Sequence, residues 1–169
     1  MQEGLQLKAE EYLSKPLECA ALVPKIEKLL DKITRRIRVL VVDDHSVVRE
    51  GIRALLNMQD DIEVVGEALD GKDAIEKVHQ LSPDVTLMDI IMPVMNGLEA
   101  TSQISSEGLP TKVLILTQYD DEENMFVANQ VGAYGFIAKK AASSDLMTGI
   151  RAVGEGRYFP KAFAYVSAN

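Results

Sequence analysis

The stretch "VLVVDDHSVVREGIR" at residues 39–53 decides the fold of this protein. Four apolar residues run directly into two adjacent carboxylates, Asp43 and Asp44, and a segment with apolar residues at helical spacing follows. A continuous apolar run is typical of a strand that is buried on both faces of a sheet. Because like charges repel, the acidic pair at the end of such a strand needs an explanation from the rest of the sequence.

The same alternation of strand and helix recurs along the chain from Ile37 onward. Short β-branched runs alternate with amphipathic stretches in which apolar residues recur at helical spacing. This pattern predicts an α/β fold with a five-stranded parallel sheet covered by helices on both faces, which is a doubly wound arrangement. The predicted strands are residues 37–42, 62–68, 84–88, 112–117 and 134–138.

The composition excludes several classes of protein. The 169-residue chain carries a formal net charge of −8, whereas a nucleic-acid surface requires clustered lysine and arginine. No apolar run approaches the roughly 20 residues that span a bilayer. The single cysteine, Cys19, excludes an internal disulfide framework and fits a reducing compartment. We therefore expect a cytoplasmic protein that binds neither nucleic acid nor membrane through this chain.

Polar residues stand where four of the predicted strands end. Asp43 and Asp44 end the first strand, Asp89 ends the third, Thr117 ends the fourth, and Lys139 follows the fifth. Because the carboxyl ends of parallel strands lie along one edge of the sheet, we expect these groups to converge there. Three converging carboxylates raise each other's pKa unless a cation neutralises them, and Mg²⁺ with its preference for oxygen ligands suits this role.

Several separate motifs, in order, resemble the receiver domain of two-component response regulators. They are "VLVVDDHSVVREGI", "PDVTLMDIIMPVMNGLEA", "VLILTQYDD" and "GAYGFIAKKAASSDL", and the resemblance covers residues 37 to about 157. The "DDHSVVREGI" opening and the "AVGEGRYF" close are most similar to the NarL/LuxR-type subfamily. The resemblance implies a flavodoxin-like (βα)5 fold and a phosphorylation-dependent signalling switch whose output is transcription.

The resemblance also assigns roles at the acidic site. It implies that Asp89 accepts a phosphoryl group from a sensor histidine kinase or a small phosphodonor. Mg²⁺ would be held by Asp44, by Asp89 and by the backbone carbonyl of Ile91, with Asp43 acting through water. His45, between this site and the predicted helix, is interpreted as a helix-start residue.

Three further residues carry implied roles in the switch. Lys139 and the Thr117 hydroxyl would contact the phosphoryl oxygens, and Thr117 and Phe136 would change position when the phosphoryl group is present. The signal would then reach the surface of the fourth helix, fifth strand and fifth helix of the receiver. A homodimer is expected through that surface, through the first and fifth helices, or through the N-terminal helix.

Bulky residues follow the phosphoacceptor and the threonine. Ile91 and Tyr119 each stand two positions later, and these positions flank the route of the hydrolytic water in related proteins. We therefore predict slow self-dephosphorylation. The chain would catalyse its own phosphorylation and dephosphorylation without being a turnover enzyme.

Two other functions compete with the switch. A haloacid-dehalogenase-like phosphatase also uses an aspartate nucleophile and Mg²⁺, but it carries an Asp-x-Asp motif on its first strand, whereas the pair here is adjacent. A receiver-like interaction module would keep the fold without being phosphorylated. The intact set of polar residues at the strand ends argues against the module.

Both ends of the chain lie outside the resemblance. Residues 1–36 are predicted to form an extension with a short strand-like segment and a helix from about residue 17 to 35, with Pro24 as a candidate interruption. Because Lys15-Pro16 matches a motif that ends receiver domains, we interpret this extension as a linker or a remnant of a second receiver. Residues 158–169 are expected to be a tail or the start of a linker to an output domain.

Overall fold

The computed structural model describes residues 16–118 and 122–165, and it divides into two compact units between Arg35 and Arg36. In the first unit one helix, the N-terminal helix, runs from Pro16 to Thr34. Pro24 lies inside this helix without ending it, so the candidate interruption is wrong. The predicted strand-like segment before the helix lies outside the described residues.

The N-terminal helix is amphipathic. Its apolar positions recur three or four residues apart, and this spacing continues on both sides of Pro24. The side chains of Leu22, Ile26 and Leu29 are each at least 43% exposed. The interpretation of this helix as part of a second receiver stays a prediction.

The second unit is an alternation of strands and helices, numbered here from its own first strand. The elements are β1 (Ile37–Val42), α1 (Ser46–Asn57), β2 (Ile62–Ala68), α2 (Gly71–Leu81), β3 (Val85–Asp89), α3 (Gly97–Ser106), β4 (Lys112–Thr117), α4 (Glu122–Gln130), β5 (Gly135–Ala138), α5 (Ser143–Gly154) and a short 3-10 helix (Lys161–Tyr165). All four strand pairs are parallel, and the strand order is β2-β1-β3-β4-β5. This is the flavodoxin-like order, so the predicted fold is confirmed.

The buried strands separate two apolar layers. Successive side chains of a strand point to opposite faces, so Leu40 and Val42 join one core cluster while Val39 and Val41 join the other. The first cluster contains residues of α2, α3 and α4, and the second contains residues of α1 and α5. All four residues of the "VLVV" run are at most 1% exposed, which explains why the run is continuous rather than alternating.

The second unit includes residues beyond those assigned to the receiver from its sequence. It begins at Arg36, and the segment after α5 packs against it through Phe163, whose side chain is completely buried. In the described parts of the chain, we find no helix that is both long and apolar enough to cross a membrane.

An ion pair joins α5 to the turn before β2. The Arg151 guanidinium donates to both carboxylate oxygens of Asp61, with Nε–Oδ2 and Nη2–Oδ1 distances of 2.7 and 2.9 Å. The hydrogen bond from Arg151 holds the pKa of Asp61 below its ordinary value of 3.8. Because both side chains are about half exposed, solvent screens this pair.

We expect Arg151→Met to lower the free energy of unfolding by about 0.5–1 kcal/mol at pH 7. A depressed carboxyl pKa stabilises the fold above 3.8 and loses that contribution as the pH falls through the folded-state pKa. The difference between wild type and Arg151→Met should therefore shrink towards pH 3. Urea unfolding at both pH values tests this. The control is Arg157→Met, because among the described residues Arg157 pairs with its near neighbour Glu155 on the exposed surface. Equal losses for the two variants would contradict the prediction.

Candidate functional site

The carboxyl ends of four adjacent strands bring the predicted polar residues together. Asp43 directly follows β1, Asp89 is the last residue of β3, Thr117 is the last residue of β4, and Lys139 directly follows β5. The first three are buried, with exposed fractions of 1%, 4% and 2%. Strand β3 ends one residue later than predicted, which makes Asp89 part of the strand and pairs it with Leu116 of β4.

Lys139 bridges two carboxylates. Its Nζ lies 2.6 Å from Oδ2 of Asp43 and 2.8 Å from Oδ2 of Asp89, which are charge-assisted contacts. Its backbone N–H donates to the carbonyl oxygen of Thr117 at 2.6 Å. Contacts therefore hold both the backbone of Lys139 and the ammonium at the end of its side chain. The sequence placed Lys139 at this edge, and the structure adds that it holds the acidic strands together.

Burial controls the ionisation of Asp89. Burial raises the pKa of the Asp89 carboxyl, and the hydrogen bond from Lys139 opposes that rise without cancelling it. For Lys139, burial lowers the pKa, but the hydrogen bonds to Asp43 and Asp89 outweigh it and the pKa is raised. The contacts thus favour the charged form of Lys139, whereas burial disfavours the charged form of the Asp89 carboxyl.

The acidic residues form a cluster suited to a metal ion. Ligand atoms of Asp43, Asp44, His45 and Asp89 all lie within 4.8 Å of one another. Three of the four residues offer carboxylate oxygens, the ligands that a hard divalent cation prefers. Three carboxylates face one ammonium, so the cluster retains negative charge that a divalent cation would neutralise.

His45 is the member of this cluster that was interpreted only as a helix-start residue. It does occupy the N-cap position of α1, but its side chain makes no capping hydrogen bond. Instead its Nδ1 lies 3.1 Å from Asp43 Oδ1 and 3.0 Å from Asp44 Oδ1. An exposed imidazole thus contacts both carboxylates of the acidic pair.

Arg49 also supports the site, a role that its place in the sequence does not predict. Its Nη1 donates to the carbonyl oxygen of Asp43 at 2.7 Å, and its Nε donates to Glu67 of β2 at 3.0 Å. The arginine thereby fixes the backbone that carries the acidic pair. The only sequence signal is its place one turn into α1, where arginine is common on any exposed face.

The loop after β3 is fixed at both ends. Asn96 caps α3 through a capping box with Glu99, and the N–H of Gly97 donates to the carbonyl oxygen of Ile90 at 2.9 Å. The side chain of Ile91 is 61% exposed, and the predicted role of its carbonyl stays a prediction. Tyr119, the other residue predicted to slow dephosphorylation, lies outside the described residues.

Phe136 lies inside the core. It belongs to β5, three residues before Lys139, pairs with Ile115 of β4 and is 4% exposed. The buried Thr117 lies two residues beyond this pairing in the direction of the site and pairs with Ala138. The structure thus places both predicted switch residues along the β4–β5 pair.

Comparisons with known proteins agree with this geometry. Residues 39–151 match the family described as the response regulator receiver domain. The chain is 42% identical over 120 residues to the transcriptional regulatory protein LiaR of Bacillus subtilis and 48% identical over 120 residues to the oxygen regulatory protein NreC of Staphylococcus carnosus. These alignments cover 71% and 70% of this chain but 57% and 55% of the relatives, so the chain spans somewhat over half their length.

Two solved structures are similar to this chain over nearly their whole length. The receiver domain of the response regulator NarL from Mycobacterium tuberculosis superposes with a TM-score of 0.71 at 36% identity, covering 73% of this chain and 99% of that one. A LuxR-family response regulator from Aurantimonas has a TM-score of 0.71 at 31% identity, covering 79% and 96%. The shared fold, the family match and the buried aspartates at the strand ends agree, and this chain belongs to the response regulator receiver family, of the NarL/LuxR type.

Proposed function

We propose that Asp89 is the phosphoacceptor of a two-component signalling switch and that a sensor histidine kinase is its phosphodonor. The observation that carries this proposal is the buried Asp89 carboxylate, which Lys139 holds beside the acidic pair. A carboxylate oxygen of Asp89 would attack the phosphorus atom of a phosphohistidine. The P–O bond forms as the P–N bond breaks, the imidazole leaves with the bonding electron pair and takes up a proton, and Asp89 becomes an aspartyl-phosphate.

The chain's own residues supply position and charge for this transfer. Lys139 is a compact positive charge already in contact with Asp89, and it is placed to neutralise oxygens of the incoming group. The Thr117 hydroxyl, buried at the end of the neighbouring strand, is proposed to donate to another phosphoryl oxygen. Arg49 keeps the backbone of Asp43 in place.

The acidic cluster fits Mg²⁺. Receiver domains of this family bind Mg²⁺ at an acidic pocket, and the oxygen ligands and excess negative charge of this cluster suit that ion. We propose Asp44, Asp89 and the carbonyl of Ile91 as ligands, with Asp43 acting through water. When bound, the ion would offset negative charge on the transferring group.

The wider role of the protein is also a proposal. The names of LiaR and NreC describe regulatory proteins, and their chains extend well beyond the part that matches this one. We propose that phosphorylation changes the surface of α4, β5 and α5 and so controls transcription through an output domain or partner. Three further points stay predictions. They are a cytoplasmic location, a homodimer through this surface, through α1 and α5 or through the N-terminal helix, and the domain limits 1–36, 37–157 and 158–169.

Incubation with a small phosphodonor and Mg²⁺ tests the proposed function. We expect intact-protein mass spectrometry to show one added phosphoryl group on wild type and none on Asp89→Asn. The control is Asp60→Asn, which changes an exposed carboxylate outside the site and should leave labelling intact.

Each competing function has its own outcome. Lack of labelling in the wild type would favour an interaction module that is not phosphorylated. Repeated turnover of a phosphate ester would favour the aspartate-nucleophile phosphatase. Labelling that persists in Asp89→Asn would show that another residue is the phosphoacceptor.

A further inference from the structure

The segment after α5 is bound to the outer edge of the sheet. We call residues 158–165 the strap. The N–H of Phe136 donates to the carbonyl oxygen of Phe159 at 2.9 Å, and the N–H of Phe159 donates to the carbonyl oxygen of Tyr134 at 3.0 Å. Phe159 also forms a parallel bridge with Gly135, so it extends the sheet by one residue beyond β5.

The strap is anchored to α4 as well as to β5. Phe163 is completely buried and belongs to the same core cluster as Phe136 and Ala128 of α4. Its carbonyl oxygen accepts a hydrogen bond from Nδ2 of Asn129 at 2.8 Å. The ring of Tyr158 stacks on Tyr134, with centroids 5.1 Å apart. The strap therefore covers the junction of α4 and β5.

Strand β5 joins the strap directly to the functional site. The strand has only four residues, and Lys139, the residue that contacts Asp43 and Asp89, follows its last residue. Phe136, whose N–H holds the strap, lies three positions before Lys139. A displacement of the strand end at the site is therefore transmitted to the hydrogen bonds of the strap through a very short segment.

We propose that the strap is a phosphorylation-sensitive coupling element, docked while Asp89 is unmodified and released when Asp89 carries a phosphoryl group. This inference rests on the proposed function. Phosphorylation replaces a single carboxylate charge with a phosphoryl group that extends further from the β3 backbone and carries more negative charge. Lys139 must follow that charge, and the end of β5 moves with it, which strains the two hydrogen bonds to Phe159.

The strap has fewer hydrogen bonds to the rest of the fold than a strand inside the sheet. In the described part of the chain, two backbone hydrogen bonds and one from an amide side chain hold it, together with the Tyr158–Tyr134 stack, the packing of Phe159 on the second core cluster and the buried Phe163 ring. Segments with few anchors open at a lower free energy than the strands of the core. Release would expose the Phe163 ring and the apolar junction of α4 and β5 to solvent.

Hydrogen exchange of the full chain tests the coupling. Beryllofluoride with Mg²⁺ serves as a stable mimic of the phosphoryl group, and its binding at Asp89 is followed separately by fluorine NMR. We expect amide exchange in residues 158–165 to become about ten-fold faster when the mimic is bound, a typical size for coupling between two sites. Exchange in α2, to which none of the strap hydrogen bonds and ring contacts described above runs, should be unchanged.

A variant of α4 tests the reverse direction. Coupling is reciprocal, so a weaker strap should favour the phosphorylated arrangement. Asn129→Ala removes the hydrogen bond to the Phe163 carbonyl while leaving the buried ring in place, so the fold should survive. We expect it to speed strap exchange without the mimic and to strengthen beryllofluoride binding several-fold. Gln130→Ala, an exposed neighbour on α4, is the matched control and should change neither.

The possible results distinguish failure of the proposed coupling from failure of the proposed phosphoacceptor role of Asp89. If beryllofluoride binds but strap exchange is unchanged or slower, the coupling is wrong and the phosphoacceptor role of Asp89 stands. If beryllofluoride does not bind, both proposals are overturned. Equal effects of Asn129→Ala and Gln130→Ala would also overturn the coupling.

Discussion

Lys139→Met is expected to destabilise the metal-free protein by about 3 kcal/mol at pH 7, because it removes one partner of a buried ion pair and leaves the other uncompensated. Lys139 contacts both Asp43 and Asp89, and these two carboxylates are nearly inaccessible to solvent. Methionine keeps most of the apolar side-chain volume, so the loss reports mainly on charge. The measurement is urea unfolding without metal and with millimolar Mg²⁺.

Two conditions should restore part of this loss. Mg²⁺ should recover stability in Lys139→Met because a divalent cation replaces the missing positive charge. Lower pH should also recover it, because the pKa of Asp89 is already raised by burial, so protonation of this carboxyl favours the folded state. A loss that persists unchanged with Mg²⁺ and at low pH would instead indicate a packing defect.

The same variant should fail as a phosphoacceptor. Removal of one charged group that faces the transferring oxygens typically lowers a rate by about 100-fold or more. Lys140→Met is the matched control, since the adjacent lysine is exposed, and its effect on stability should stay within about 0.5 kcal/mol. If the two variants behaved alike, the contacts of Lys139 would have no special role.

The sequence predicted the site because its residues mark the ends of strands. A run such as "VLVV" is buried on both faces, so its end is defined to within one residue, and parallel strands end along one edge. The sequence alone therefore predicts that Asp43, Asp89, Thr117 and Lys139 lie at one edge of the sheet. The direct contact of Lys139 with Asp43 was not predicted, because a residue pattern does not encode which side chains touch.

Residues whose roles depend on tertiary contacts were not predicted from the sequence. Arg49 is indistinguishable from any surface arginine until the carbonyl oxygen of Asp43 is placed beside it. Phe159 and Phe163 follow a helix end without any periodic pattern, so the segment was expected to be a tail or linker. Pro24 was a candidate helix break, yet the apolar spacing on both sides of it favoured one continuous helix.

The second large effect is expected at the glycine that begins α3. A Cβ atom on Gly97 would lie 1.9 Å from the carbonyl oxygen of Asp89 and 2.9 Å from the carbonyl carbon of the same residue. Both atoms are backbone at the end of β3, so no side-chain rotation relieves the contact. Gly97→Ala must push the end of β3 or the start of α3 away, which costs about 3 kcal/mol or more.

The displacement reaches the phosphoacceptor itself, so Gly97→Ala should slow phosphorylation of Asp89 as well as destabilise the fold. The matched control is Gly51→Ala in α1, where a Cβ atom would meet nothing within 4 Å. Gly51 is exposed within a helix, so alanine there should stabilise the protein by about 0.5–1 kcal/mol. The same chemical change is thus expected to have opposite signs at the two positions, as measured by urea unfolding. If Gly97→Ala changed neither the free energy of unfolding nor the rate of Asp89 phosphorylation, the β3–α3 junction would be able to relax away from Asp89. The geometry of the phosphoacceptor would then not depend on this glycine.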